Sequence, residues 1–260
     1  MQQVKPKKSL GQHFLIDKNV ARKIVDSIIT GNYHSLIEIG PGTGILTKLI
    51  LEKRIPNFTA VELDSESHDY LQKQYPDYTS HFIQGDFLKY PFEKHKAPIA
   101  LIGNLPYFIS SPIFFRVLEH RSIVNQAVFM IQKEVAERII APPGNKTYGI
   151  LSVLLQAYYD IKYLFTVHEK CFAPPPKVKS AVIRLVRNNR TELDCSPVLF
   201  QKVVKAAFNQ RRKVIRNSLK SIFLNLPEES SLLLKRPEQL TVSQFVELTQ
   251  NIEALNPVNT

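Results

Sequence analysis

The chain has 260 residues, 44% of them hydrophobic and 22% charged, the proportions of an ordinary soluble globular protein with room for one large domain or a large one and a small one. A net charge of +11 favours a polyanionic partner, nucleic acid first and an anionic membrane surface second. Cys171 and Cys195 are too few for a disulfide framework and are not spaced as metal ligands, and the 7 histidines are scattered, so no metal site is expected.

The N-terminal "MQQVKPKKS" is basic, but no apolar segment follows it and no apolar run is long enough to span a membrane; the expected location is the cytoplasm. From 34 to about 104 the pattern alternates as βα units do. "HSLIEI" (34–39) is predicted as a strand, 45–54 as a helix with apolar residues at helical spacing, and "NFTAVEL" (57–63) as a second strand. A helix over 64–75 follows, opened by the capping residue Asp64. "SHFIQGD" (80–86) and "APIALIGN" (97–104) read as strands three and four, and "SSPIFFRVLEH" as a helix whose serines precede a proline. "NQAVFMIQ" (125–132) is strand-like, "KEVAERII" helical, and 148–159 an apolar helix; "KYLFTVH" and "SAVIRLV" close the region as strands. These last two have no room for a crossover helix, which suggests an antiparallel edge or hairpin. "NNRTELDCSP" reads as a linker, and only helical patterns follow from 197. The expected fold is α/β, a mostly parallel sheet with helices on both faces over 1–188, plus a small all-α domain over 197–260.

The first predicted strand runs into "EIGPGTG" (38–44), placing Gly40, Gly42 and Gly44 between a strand and a helix. Such glycines let a ligand approach the backbone, and the helix start offers free N–H groups. Glu62, at the end of strand two, is placed to reach a ribose diol. A tight structural turn with a surface Glu is the bland alternative. Ile45 stands where a dinucleotide fingerprint needs its third glycine, and no Walker-type phosphate loop is present. Strand, GxGxG, helix and then a carboxylate after strand two instead looks like the S-adenosylmethionine site of Rossmann-like methyltransferases. Asp86, at the end of strand three, would accept from the adenine amine, and Phe87 beside it could cover the ring; a turn cap is the competing role for Asp86.

Strand four ends in "NLPY" (104–107). Pro106 fixes its own φ and pushes Leu105 towards an extended conformation, so the chain exits along one rigid path that could hold the Asn104 amide and the Tyr107 ring. A structural turn would look similar. Amino-group methyltransferases carry an (Asn/Asp/Ser)-x-Pro-(aromatic) element at this place, and the match is wider. "KSLGQHFL" (8–15), "EIGPGTG", "NLPY", "QKEVAERI" (132–139), "YGILSV" (148–153), "FAPPPKVKSAVIRL" (172–185) and "AFNQRRKVIRNSL" (207–219) together resemble the ribosomal RNA small-subunit adenine dimethyltransferase family. The last two runs are typically missing from the related enzymes that modify large-subunit rRNA.

The resemblance implies an S-adenosylmethionine-dependent enzyme that dimethylates two adjacent adenosines in the 3′-terminal hairpin of 16S rRNA, in the immature 30S subunit. A monomer needing neither metal nor membrane is expected. By the same resemblance, cofactor contacts fall on His13, Leu15, Gly40, Glu62, Asp86 and Asn104, with Gly42 inside the glycine turn. Many members have Asn where this chain has His13; either side chain can donate a hydrogen bond, and a solvent-facing tail residue is the alternative. The implied catalytic set is Asn104, Leu105, Pro106, Tyr107 and Phe172. The Asn104 side-chain oxygen and the Leu105 carbonyl would accept the two amine hydrogens, Tyr107 would stack on the flipped base, and Phe172 would cover its other face or, equally, anchor a proline turn in the core.

Between Cys195 and Pro227 there are basic residues and no acidic one. Arg212, Arg216 and Lys220 are spaced for one helical stripe, with Ile215, Leu219 and Ile222 on another face. With Arg211, Lys213 and Lys177 they form the expected RNA-binding set, against the ordinary reading of a solvated face. A large-subunit rRNA methyltransferase, a DNA adenine methyltransferase and an assembly factor that binds pre-30S particles are the rival functions.

Overall fold

The computed structural model describes residues 4–190 and 192–256, so 1–3 and 257–260, the outer ends of the two expected domains, lie outside the described residues. The chain divides into two compact units: residues up to 136 with 160–187, and 137–159 with 188 onwards. This is not the linear division read from the sequence.

The first unit opens with β1 (Phe14–Leu15) and α1 (Lys18–Asp26), then β2 (Ser35–Ile39), α2 (Ile45–Glu52), β3 (Phe58–Glu62), α3 (Ser65–Gln74), β4 (Phe82–Gln84), β5 (Ile99–Asn104), α4 (Ser110–Glu119) and β6 (Val124–Gln132). After α5 (Lys133–Ile140) and α6 (Ile150–Gln156) come β7 (Tyr159–Val167), β8 (Phe172–Ala173) and β9 (Ser180–Arg187). Seven strands form one sheet in the order β4-β3-β2-β5-β6-β9-β7. Pairing is parallel from β4 to β6, and β9 is antiparallel to β6, from Gln126↔Val186 to Gln132↔Ser180. The last two strands are neighbours as expected, but β9 is not at the edge: it lies between β6 and β7. Ile99 to Ile102 on β5 are 0% exposed. A strand covered on both faces needs an unbroken apolar run, not alternation, and each buried Ile or Leu in it contributes roughly 1.5–3 kcal/mol.

α1 was not anticipated, although its signal is ordinary. Asp17 accepts hydrogen bonds from the N–H groups of Asn19 and Val20, and Ala21, Ile24 and Val25 turn inward. Asp64 caps α3 as expected, accepting from Ser67 N–H. The apolar helix expected over 148–159 stops at Gln156, because the Tyr158–Tyr159 pair leads the chain into β7.

In the second unit, α6 packs against α7 (Pro197–Asn209) and α9 (Val242–Leu255), with the short α8 (Ile215–Leu219) beside α7. Leu151, Val153, Leu154 and Leu155 of α6 are all buried. That face needs the helices that cover it, which is why 137–159 clusters with the C-terminal segments. Among the described residues no helix is long and apolar enough to cross a membrane, and no group of His, Cys, Asp and Glu could hold a metal ion.

Candidate active site

β2 has neighbours on both sides, and the chain leaves it one way towards β3 and later returns on the other side as β5. Such a switch point opens a crevice beyond the carboxyl ends of the strands. Here that crevice is an open cleft lined by the glycine turn, the ends of β2, β3 and β5, and the segment around β1.

Its floor is the glycine turn. Gly42 has φ +55°, and a Cβ there would lie 2.9 Å from Cε1 of Phe14. Gly44, at φ +81°, would strike Leu71 at 2.7 Å. Both positions demand glycine on conformation and on contact. Gly40 lines the cleft, and no heavy atom lies within 4 Å of where its Cβ would stand, so the turn leaves open space over its backbone.

Two buried carboxyl groups face this turn. Glu62 is 5% exposed; its Oε2 accepts from Gly42 N–H at 2.9 Å and its Oε1 from Asp64 N–H at 2.9 Å. A carboxylate offers about four acceptor sites, so capacity remains for the hydroxyls of a ligand. Burial raises its pKa above the ordinary value against these hydrogen bonds. Glu38, which sequence reasoning did not single out, lines the same cleft, is 1% exposed and accepts from Thr47 Oγ1 at 2.7 Å. Burial, with the Glu62 charge adding to it, pushes its carboxyl up to about 8. A raised carboxyl pKa favours folding most below the unfolded value and less as pH rises towards the folded one. Glu38→Gln, a mimic of the protonated form, is therefore expected to flatten the decline of Tm between about pH 5 and pH 8. Identical pH profiles for variant and wild type would refute this.

The wall opposite is strand end β5. Leu105 is buried, and its N–H donates to Met130 C=O at 3.0 Å, so the strand stays tied to β6 past its tip. Asn104 Nδ2 donates to the His13 carbonyl at 3.0 Å. A backbone carbonyl can only accept, which fixes the amide orientation and leaves Oδ1 without a partner among the described residues. His13 Nδ1 donates to Pro174 C=O at 2.8 Å, and its ring stacks on Tyr107 with centroids 5.8 Å apart. Tyr107 is half-buried, its hydroxyl 2.7 Å from Ser180 Oγ; Phe108 is the exposed ring of the pair. The segment carrying His13 and Leu15 is held by β1, which pairs antiparallel with β8, and by Lys7, whose ammonium pairs with Asp64 and lies 3.4 Å from Glu66.

His13, Leu15, Gly40, Gly42, Glu62, Asn104, Leu105, Pro106 and Tyr107 thus line one cleft. Asp86 does not line it in this structure; its Oδ1 accepts from Leu88 N–H at 2.9 Å, the turn-cap role. Phe87 is buried edge-on against Phe92 and covers no ligand site. Phe172 is 3% exposed, because its pairing with Leu15 turns it into the core cluster, so it offers no face to a base. Lys177 is exposed on the loop after β8.

The expected basic stripe does not form. α7 ends at Asn209, Lys213 N–H closes a turn on Gln210 C=O, and α8 starts afresh at Ile215 so that Ile215 and Leu219 can be fully buried. Arg212, Lys213 and Lys220 are exposed, and Ile222 is exposed rather than packed. Arg211 donates to Asn145 C=O at 3.3 Å and lies 3.9 Å from Glu238, while Arg216 pairs with Glu228.

The sequence profile of a family described as ribosomal RNA adenine dimethylase matches residues 3–253. A protein of Parabacteroides distasonis named ribosomal RNA small subunit methyltransferase A is 53% identical over 252 residues, covering 96% of this chain and 94% of its own. One of the same name from Phocaeicola vulgatus is 52% identical over 255 residues, covering 96% and 91%. Among solved structures, a dimethyladenosine transferase from Plasmodium falciparum superposes with a TM-score of 0.72 at 24% identity, covering 91% of this chain and 96% of that one. The 23S rRNA methyltransferase ErmE gives 0.66 at 24% identity, covering 91% and 99%. At such identity these two likenesses speak of fold alone.

Proposed function

The chain belongs to the ribosomal RNA adenine dimethylase family, and from that premise we propose that it dimethylates the exocyclic amines of two adjacent adenosines in the 3′-terminal hairpin of 16S rRNA, acting on the immature 30S subunit. It is an S-adenosylmethionine-dependent rRNA methyltransferase. The reading extends to a monomeric enzyme working in the cytoplasm, where its ribosomal substrate would be assembled. Small-subunit specificity rests on the 52–53% identity to small-subunit enzymes along almost the whole chain.

The cleft suits the cofactor. Space above Gly40, spare acceptor capacity on Glu62, and a floor of glycine backbone match a nucleoside with an amino-acid tail. His13, Leu15, Gly40, Gly42, Glu62 and Asn104 would hold it, with Asp86 joining if its cap loosens. When bound, S-adenosylmethionine supplies an electrophilic methyl group.

The residues of this chain do the rest by positioning. An adenine amine is a weak nucleophile because its lone pair is delocalised into the ring. Asn104 Oδ1 would accept one amine hydrogen and the Leu105 carbonyl the other, which favours a pyramidal nitrogen with its lone pair directed out of the ring. Pro106 keeps the two acceptors at a fixed separation, and Tyr107 would hold the base by stacking. No side chain has to remove a proton beforehand, so orientation and two hydrogen bonds carry the catalysis. The observation behind this assignment is the unpartnered Asn104 Oδ1 at the cleft wall.

The test is single-turnover methylation of unmodified 30S particles against naked 23S RNA, with the modified bases mapped. Transfer confined to 23S RNA would overturn the small-subunit reading. Arg211, Arg212, Lys213, Arg216, Lys220 and Lys177 are proposed to bind RNA phosphates. Removing Arg211, Arg212 and Lys213 together is expected to flatten the log–log salt dependence of RNA binding by about 2, since each phosphate neutralised on a single strand adds roughly 0.7 to the slope. An unchanged slope takes them out of the footprint.

A further inference from the structure

We propose that Phe108 is a stacking platform for an unpaired nucleobase beside the target adenosine, on the rim of the active-site cleft. The inference rests on the RNA-methylating reading above and adds a second base site to it. Single exposed apolar side chains are common on protein surfaces, so exposure alone carries nothing; position does. Phe108 directly follows Tyr107, whose ring faces the cleft, and it is 61% exposed. Both rings stand on the single helical turn Tyr107–Ile109, so a nucleotide flanking the base held by Tyr107 can reach Phe108.

The ring is also held in place. It lies over Gly11, a cleft-lining residue at φ +56° where a Cβ would come within 3.0 Å of the Phe108 Cδ1. Gly11 thus gives the ring a flat backbone bed. Gly11 N–H in turn donates to Lys8 C=O at 3.0 Å, so the bed belongs to a turn that carries an exposed ammonium group. Lys5, close by in sequence, is exposed as well. An aromatic ring and exposed cations on adjoining segments are the two parts by which single-stranded nucleic acid is bound: the ring takes the base and the cations take the phosphates. Phe172 offers no face for this purpose, being packed in the core.

The chain contains no tryptophan, so Phe108→Trp installs a single indole at the platform, excited selectively at the red edge where tyrosine does not absorb. Titration with an RNA hairpin carrying the two adenosines should quench its emission saturably, and the enzyme should stay active. Phe108→Ala is expected to raise KM for 30S particles about tenfold with an unchanged Tm and cofactor Kd, and Phe108→Tyr to recover the loss. Phe108→Leu, which keeps apolar bulk but no π-face, should not recover it. Unquenched emission at saturating RNA, or full activity in the Ala variant, overturns the platform while leaving wild-type methylation intact. Failure of the wild type to methylate 30S particles defeats the reading beneath it as well.

Discussion

Asn104→Ala is expected to lower the single-turnover rate of methyl transfer by about 10²–10³-fold, the usual consequence of deleting one preorganised hydrogen-bonding group from a reaction centre. Asn104 sits where β5 ends, its position set by the β5–β6 ladder that extends to Asn104↔Met130. Its NH₂ is committed to the His13 carbonyl, leaving the oxygen as the group aimed at an incoming amine. Alanine removes that acceptor without touching the core, since Leu105 keeps its hydrogen bond to Met130. RNA affinity should stay near the wild-type value, because the proposed phosphate-binding side chains lie elsewhere on the chain. A variant retaining wild-type turnover would refute the acceptor role.

Glu62→Ala should act on binding instead. Two buried N–H groups, of Gly42 and Asp64, would lose their acceptor. A buried donor left unpaired costs about 1–3 kcal/mol, so Tm should fall while the sheet survives. Hydrogen bonds to a charged group are worth roughly 1.5–3 kcal/mol each, and losing those to a ribose diol should weaken the cofactor at least about 100-fold by calorimetry. The acid limb of cofactor binding should also reflect this group. Its folded pKa is raised by burial, so affinity should drop on acidification at a pH above the ordinary carboxylate value. An alanine variant with wild-type Kd would remove Glu62 from the site.

Much of this arrangement was legible in the residues. The βα alternation was readable because a parallel sheet covered on both faces requires continuous apolar strands separated by amphipathic helices, and Gly40, Gly42, Glu62 and Asn104 stand at strand ends where that topology places a ligand. α1 carried a signal too, Asp17 and the apolar spacing after it, but it is absent from the elements predicted above. Other features were not legible. A ladder as short as β1–β8 has no period to detect, yet it decides where Phe172 points. The Arg212, Arg216, Lys220 spacing implies one face only if a single helix carries all three, and the break after Asn209 is imposed by burying Ile215 and Leu219. Glu38 did leave a trace, a carboxyl inside an apolar run, which is the mark of a buried acid needing a partner.

The interleaving of the two units bears on how such a chain can be shortened or recombined. Because 137–159 is built into the helical unit, no single cut frees one module from the other. A product ending near residue 188 would still carry the greasy α6 but none of α7 or α9 to shield it. Replacing the helical unit by another would have to exchange an inner segment together with the C-terminal one, a double replacement rather than a simple fusion.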